Sequence, residues 1–271
     1  MKQWVLLAAG LVAAARPGVA GQIAPAALAD LPSADVVILG EVHDNPRHHE
    51  NQAVAVAGLG PAALVFEMLT PEKAALVTPD LLADERRMAE ALDWDASGWP
   101  DFAMYHPIFL AAPEARIFGA EVPRDRARAA VKDGAAATFG ADAARFGLDR
   151  ALAPEDLAAR SEEQRLAHCN ALPEDLLPGM VEAQRLRDAA LARAVLDALE
   201  TSGGPVAVIT GTGHARRDVG LPAVLADAAP GLRILSIGQF ESAPRQPAPF
   251  DLWLVTAPVD RGDPCADLAA R

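Results

Sequence analysis

Six short apolar runs recur along the chain, at residues 36–39, 63–66, 116–120, 206–209, 233–237 and 252–255. In each run the apolar positions are continuous rather than alternating. A strand with one wet face alternates, so continuous runs predict strands covered on both faces in a mostly parallel sheet with helical crossovers. Between residues 177 and 199, Met180, Val181, Ala183, Leu186, Ala190, Leu191, Ala194, Val195 and Leu199 recur at spacings of three and four. That spacing predicts one long amphipathic helix. A second helical tract covers residues 80–92. A broken helical region over residues 127–167 is punctuated by Gly134, Gly140, Gly147 and Pro154, and both tracts read as insertions into the sheet topology. The fold class expected is α/β, with a mostly parallel central sheet flanked by helices and carrying helical insertions.

Composition narrows this without changing it. Apolar residues are 51% and charged residues 23% of 271, close to the globular average, so neither a disordered chain nor a multi-span membrane protein is expected. Residues 21–271 are long enough for one α/β domain. The formal net charge is -13 and no run of Lys or Arg forms a positive stripe, which argues against nucleic acid as a partner. Residues 1–20 stand apart: Lys2, an apolar stretch from Trp4 to Ala15, then Pro17, Gly18 and small residues to Ala20. This order reads as a secretory signal peptide, hence an exported, periplasmic protein, and no Cys near Ala20 could carry a lipid. In that compartment Cys169 and Cys265 are expected to pair; otherwise they are two buried thiols.

Candidate chemistry collects after the strand runs. Gly40, Glu41, Val42 and His43 follow the first, with His48 and His49 close behind; Glu67 follows the second, Glu121 the third, and Gly211-Thr212-Gly213-His214 the fourth. A glycine there lets the backbone turn out of the sheet. Ligands of open parallel sheets bind outside the carboxyl ends of the strands, so Glu41, His43, Glu67, Glu121 and His214 are expected on one edge. Such a set suits a divalent metal or acid–base chemistry, and an apolar-walled crevice suits a porphyrin. A surface loop with capping residues is the ordinary alternative. The segment holding Trp94, Trp99, Phe102, Met104, Tyr105 and His106 is aromatic-rich in a chain only 5% aromatic. It reads either as a corner packed into the core or as one wall of a ligand site, from which Tyr105 or His106 could reach iron.

These residues together resemble the ChaN-like haem-binding uptake proteins of the Tiki/TraB superfamily. The resemblance rests on Gly40-Glu41-Val42-His43 with His49, Phe66-Glu67, Tyr105-His106-Pro107, the helix with Met180, Ala183-Gln184 and Arg187-Asp188, and Gly211-x-x-His214. It implies an α/β fold with both G-x-x-H motifs lining a common site, haem binding linked to iron acquisition, a tyrosine as iron ligand, and haems able to stack between two subunits of a homodimer. Tyr105 is the only tyrosine, so a tyrosinate ligand would be Tyr105. The leading expectation is a cell-envelope haem-binding protein whose cofactor contacts are Tyr105, His106, His43 and His214. The alternative is a metal-dependent hydrolase, with Glu41, His43, Glu67 and His214 around a divalent metal and Glu67 or Glu41 as the catalytic carboxylate. A buried Glu/His hydrogen-bond network without a ligand is a third reading.

Overall fold

A computed structural model describes residues 21–262 and Cys265; the expected signal segment, residues 1–20, lies outside the described residues. Among these residues seven strands form one sheet: β1 (Gly21–Gln22), β2 (Val36–Glu41), β3 (Ala63–Phe66), β4 (Arg116–Gly119), β5 (Val206–Gly211), β6 (Ile234–Phe240) and β7 (Leu252–Val255). Their order is β1-β7-β6-β2-β5-β3-β4, and every neighbouring pair is parallel. All six apolar runs are strands. β2, β3 and β5 are buried along their whole length, as sheets covered on both faces require. β1 has only two residues, too few to leave a pattern.

Among the described residues ten α-helices accompany the sheet: α1 (Pro46–Leu59), α2 (Pro71–Ala74), α3 (Pro79–Leu82), α4 (Glu85–Ala91), α5 (Phe102–Leu110), α6 (Arg124–Asp133), α7 (Ala135–Phe139), α8 (Pro154–Ala167), α9 (Leu177–Ser202) and α10 (Leu221–Ala228). The tract expected over residues 80–92 is two helices, because the Asp84 carboxylate accepts from the Arg87 N–H and caps a fresh start. The punctuated region divides where its glycines stand, with Gly134, Gly140 and Gly147 all at positive φ, and α8 starts at Pro154. α1 starts at Pro46, whose missing N–H costs nothing there, behind an Asn45 side chain that accepts from Arg47 N–H at 3.0 Å.

Alternation along the strands sorts the core into two layers. Val37, Leu39, Leu64, Phe66 and Ile209 face α1 and α5, whereas Val36, Ile38, Ala63, Val65 and Val208 face α9 and α10. The same alternation continues past the strand ends. Glu41 therefore falls on the α1/α5 side, and Glu67, one residue beyond β3, on the α9 side. The chain leaves β2 for α1 on one face and β5 for α10 on the other, although these strands are neighbours. Between them lies the switch point at which open parallel sheets form a crevice. A disulfide joins Cys169, just past α8, to Cys265, 96 residues on. Among the described residues no helix is long and apolar enough to cross a membrane.

Candidate functional site

Glu41 ends β2 with its carboxylate buried. Oε1 accepts from the Tyr105 hydroxyl at 2.9 Å and lies 2.7 Å from His43 Nδ1; Oε2 accepts from Gln52 Nε2 at 2.7 Å and lies 3.5 Å from His49 Nδ1. A buried carboxylate is costly unless surrounded by donors, and this one is. The next shell holds the loop in place. His49 Nε2 donates to the His43 carbonyl at 2.8 Å, and His48 Nδ1 accepts from the Val42 N–H at 2.8 Å. Burial pushes His48 down to about 4, so it serves as a neutral strut. Gly40 does not make the sharp turn expected of it. It lies inside β2, where a Cβ would stand 2.9 Å from Thr212 Cα, so close approach to the loop after β5 is what demands glycine.

A second pair stands on the α9 side. Glu67 Oε2 accepts from the Thr210 hydroxyl at 2.6 Å and the Gly211 N–H at 2.8 Å, and Oε1 lies 3.6 Å from His214 Nε2. His214 Nδ1 is 2.7 Å from Asp188 Oδ1, a buried carboxylate on α9. Burial alone would favour the neutral forms of both partners, but each charge stabilises the other. His214 is raised to about 9 by Glu67 and Asp188 against that burial, and Glu67 is lowered to about 2 by His214, His43 and its two donors.

The two pairs meet at Gly211, which is in register with Glu41. A Cβ at Gly211 would lie 2.9 Å from His43 Nε2 and 3.8 Å from Glu67 Oε2, so only glycine admits the His43 ring here. The first residue of one G-x-x-H motif is thus the floor for the last residue of the other. The His43 side chain is 33% exposed, its ring centroid is 4.9 Å from that of Trp99, and Nε2 makes no hydrogen bond among the described residues. Although burial opposes it, the hydrogen bond to Glu41 and the charges of Glu67 and Glu41 raise the His43 pKa above its ordinary value.

Several expected residues are placed otherwise. Tyr105 lies beneath the crevice rather than on its wall: it has no exposed surface, its ring packs on His49 and Trp94, and its hydroxyl is committed to Glu41. Burial and the Glu41 charge push its ionisation far above the ordinary tyrosine range. His106 is not brought to the site; its Nε2 donates to the Leu82 carbonyl at 2.9 Å and its ring faces Glu85 and Phe102. Glu121 is half-buried in a neighbouring recess that it shares with Glu67. Among the described residues no group of three or more His, Cys, Asp or Glu side chains is arranged to hold a metal ion. The expected metal set of Glu41, His43, Glu67 and His214 is arranged here as two Glu–His pairs, Glu41 with His43 and Glu67 with His214. Glu67 is held in its charged form by His214, His43 and its two hydrogen-bond donors.

Asp188, Thr210 and Gln52 were not among the expected site residues. Asp188 carried a signal: it stands seven residues from both Val181 and Val195, a lone carboxylate on the buried face of α9. Gln52 stands likewise among the buried residues of α1.

The chain matches the family described as haem-binding uptake, Tiki superfamily, ChaN, over residues 27–225. Among solved structures, ChaN of Campylobacter jejuni, described with cofacial haem binding, aligns with a TM-score of 0.59 at 20% identity, covering 78% of this chain and 83% of that one. The type III effector HopBA1 aligns with a TM-score of 0.44 at 14% identity, covering 86% and 92%. The first likeness shows a shared fold. Among curated proteins no sequence matches.

Proposed function

Because the chain belongs to the haem-binding uptake family of the Tiki superfamily, ChaN, we propose that it is an exported, periplasmic protein that holds haem at the crevice between β2 and β5 and serves haem or iron uptake. The observation that carries the haem site is His43. It is the one histidine of the paired motifs that combines substantial exposure, a free Nε2 and an Nδ1 oriented by a buried carboxylate. A histidine held this way is what an axial iron ligand needs, since the bond at one ring nitrogen fixes the tautomer and tilt of the other. Trp99 beside it offers a flat apolar surface. Haem supplies an iron centre that accepts such a nitrogen donor. Tyr105 does not fit that role; it positions Glu41, which positions His43.

Export is supported by the order of residues 1–20 and by the Cys169–Cys265 disulfide, which persists in oxidising compartments. N-terminal sequencing of mature protein should begin near Gly21. In the uptake reading a homodimer brings two such crevices together, and light scattering with and without haemin tests it. Titration of haemin into wild type and His43→Ala tests the site. Loss of the Soret shift in the variant is expected, and an unchanged spectrum and affinity would overturn the assignment.

One observation favours a second reading, hydrolysis. Glu41 and His43 also form a base with its orienting carboxylate, and here His43 rather than Glu67 would take the proton. Turnover of ester or peptide substrates that vanishes in His43→Ala would establish it.

A further inference from the structure

Beside the crevice, at the carboxyl ends of β3 and β4, a recess of about 220 Å³ is lined by Glu67, Trp99, Glu121, Arg124, Arg187 and Leu191, among others. Arg187 lies on α9, is half-buried, and among the described residues donates no hydrogen bond and forms no ion pair. Its neighbours on the same helix behave otherwise. Arg185 donates to Glu182 at 2.7 Å and to two backbone carbonyls, and Arg193 pairs with Asp142 at 3.2 Å and covers the Phe139 ring. A guanidinium carries five donors, and partly burying it without an acceptor forfeits hydration for nothing in return.

The carboxylates that share the recess do not serve it. Glu67 is taken by Thr210, Gly211 and His214. Glu121 forms no ion pair with Arg187 among the described residues, and burial raises its pKa against the pull of Lys73 and Arg124. Arg187 moreover stands close enough to His214 to disfavour the protonated imidazole. A second anion in the recess would relieve that repulsion and use the idle donors. On the far wall Arg124 donates to the Ser97 carbonyl at 3.3 Å and keeps further N–H groups free. Typical ligand pockets hold roughly 300–1,000 Å³, so this one suits an arm of a ligand rather than a whole tetrapyrrole.

We propose that Arg187 is the carboxylate-binding residue of this site, taking one propionate arm of haem into the recess while the ring lies outside against His43 and Trp99. This rests on the haem reading above and adds which end of the ligand the protein recognises. A charge-assisted pair of this kind contributes about 1.5–3 kcal/mol, or roughly ten- to a hundredfold in affinity.

The test compares haemin with haemin dimethyl ester, whose propionates carry no charge, on wild type, Arg187→Gln and Arg187→Lys. Wild type should bind haemin at least about tenfold more tightly than the ester. Arg187→Gln should lose that preference by weakening haemin alone, and Arg187→Lys should recover part of it. Melting temperatures should stay close to wild type, because no partner is orphaned. Equal binding of haemin and ester by wild type, or an equal loss of both in Arg187→Gln, would overturn the assignment while leaving haem binding intact. Failure of both ligands to bind wild type would instead overturn the haem reading, and this assignment with it.

Discussion

Glu41 Oε1 and His43 Nδ1 meet at 2.7 Å, so a wholly buried carboxylate sets the orientation of a ring that is one-third exposed. The same oxygen accepts from the Tyr105 hydroxyl, which links the ring to the interior of the protein. Substitutions along this chain should have graded effects. Glu41→Gln keeps the shape and removes the charge, and should weaken haemin binding by about ten- to a hundredfold, the usual cost of losing a residue that orients a ligand. Tyr105→Phe should keep the Soret shift, lose well under that in affinity, and cost about 1 kcal/mol of stability from one lost hydrogen bond. A Tyr105→Phe protein with a different axial-ligand spectrum would mean that the phenol reaches iron after all.

Gly211 separates function from stability. Alanine there would bring a Cβ to 2.9 Å from His43 Nε2, but the ring it meets is partly exposed and can swing outward. Gly211→Ala should therefore fold with a stability within about 1–2 kcal/mol of wild type yet bind haemin about tenfold or more weakly, because the ring is displaced. Unchanged binding would show that His43 tolerates the shift and that the contact between the two motifs does not define the site.

Much of this site was legible as residues and little of it as geometry. Continuous apolar runs located the strands, and the polar residues that follow them, Glu41, Glu67 and His214, do reach one edge. Their pairing depends on alternation through the last strand residues, which sends Glu41 to the α1/α5 layer and Glu67 to the α9 layer; one residue's difference in where a strand stops reverses that. Tyr105 and His106 looked interchangeable because they are adjacent. On a helix adjacent side chains diverge by about 100°, and here one meets Glu41 while the other meets Leu82. Asp188 was readable as a carboxylate on a buried helix face, but its partner His214 lies 26 residues away and is identified only when α9 packs beside β5.

The Cys169–Cys265 disulfide closes a loop spanning 96 residues that contains α9, β5, β6 and β7. The chain-entropy model assigns such a loop up to about 4–5 kcal/mol. Cys169→Ser with Cys265→Ser should lower the denaturant midpoint accordingly, and wild type in reductant should match the double variant. Haemin affinity should change little, because the bridge anchors the turn just past α8, outside the elements that carry Glu41, His43, Glu67 and His214. Equal midpoints with and without reductant would mean that the bridge adds no stability.

The Glu67–His214 pair makes stability depend on pH with a definite shape. His214 is raised from 6.5 to about 9, so its contribution is complete below pH 6.5 and is lost as pH rises through about 9. Glu67 is lowered from 4.5 to about 2, so its contribution is complete above pH 4.5 and is lost as pH falls toward about 2. His48 adds to the acid limb with the opposite chemistry. It is lowered to about 4 and held neutral, so its unfavourable protonation begins to cost stability as pH drops below 6.5. The three together place maximum stability near pH 6.5, with a fall on both sides. Glu67→Gln should cost roughly 3–5 kcal/mol, as breaking a buried ion pair does, and should change the profile as well as its height. Without the Glu67 charge only Asp188 supports the protonated His214, so the alkaline fall should move to lower pH, and the part of the acid fall due to Glu67 should vanish while the His48 part remains. Urea melts of wild type and variant across the pH range decide it. A variant whose curve is simply displaced downward, with both limbs where they were, would show that Glu67 and His214 do not share their charge.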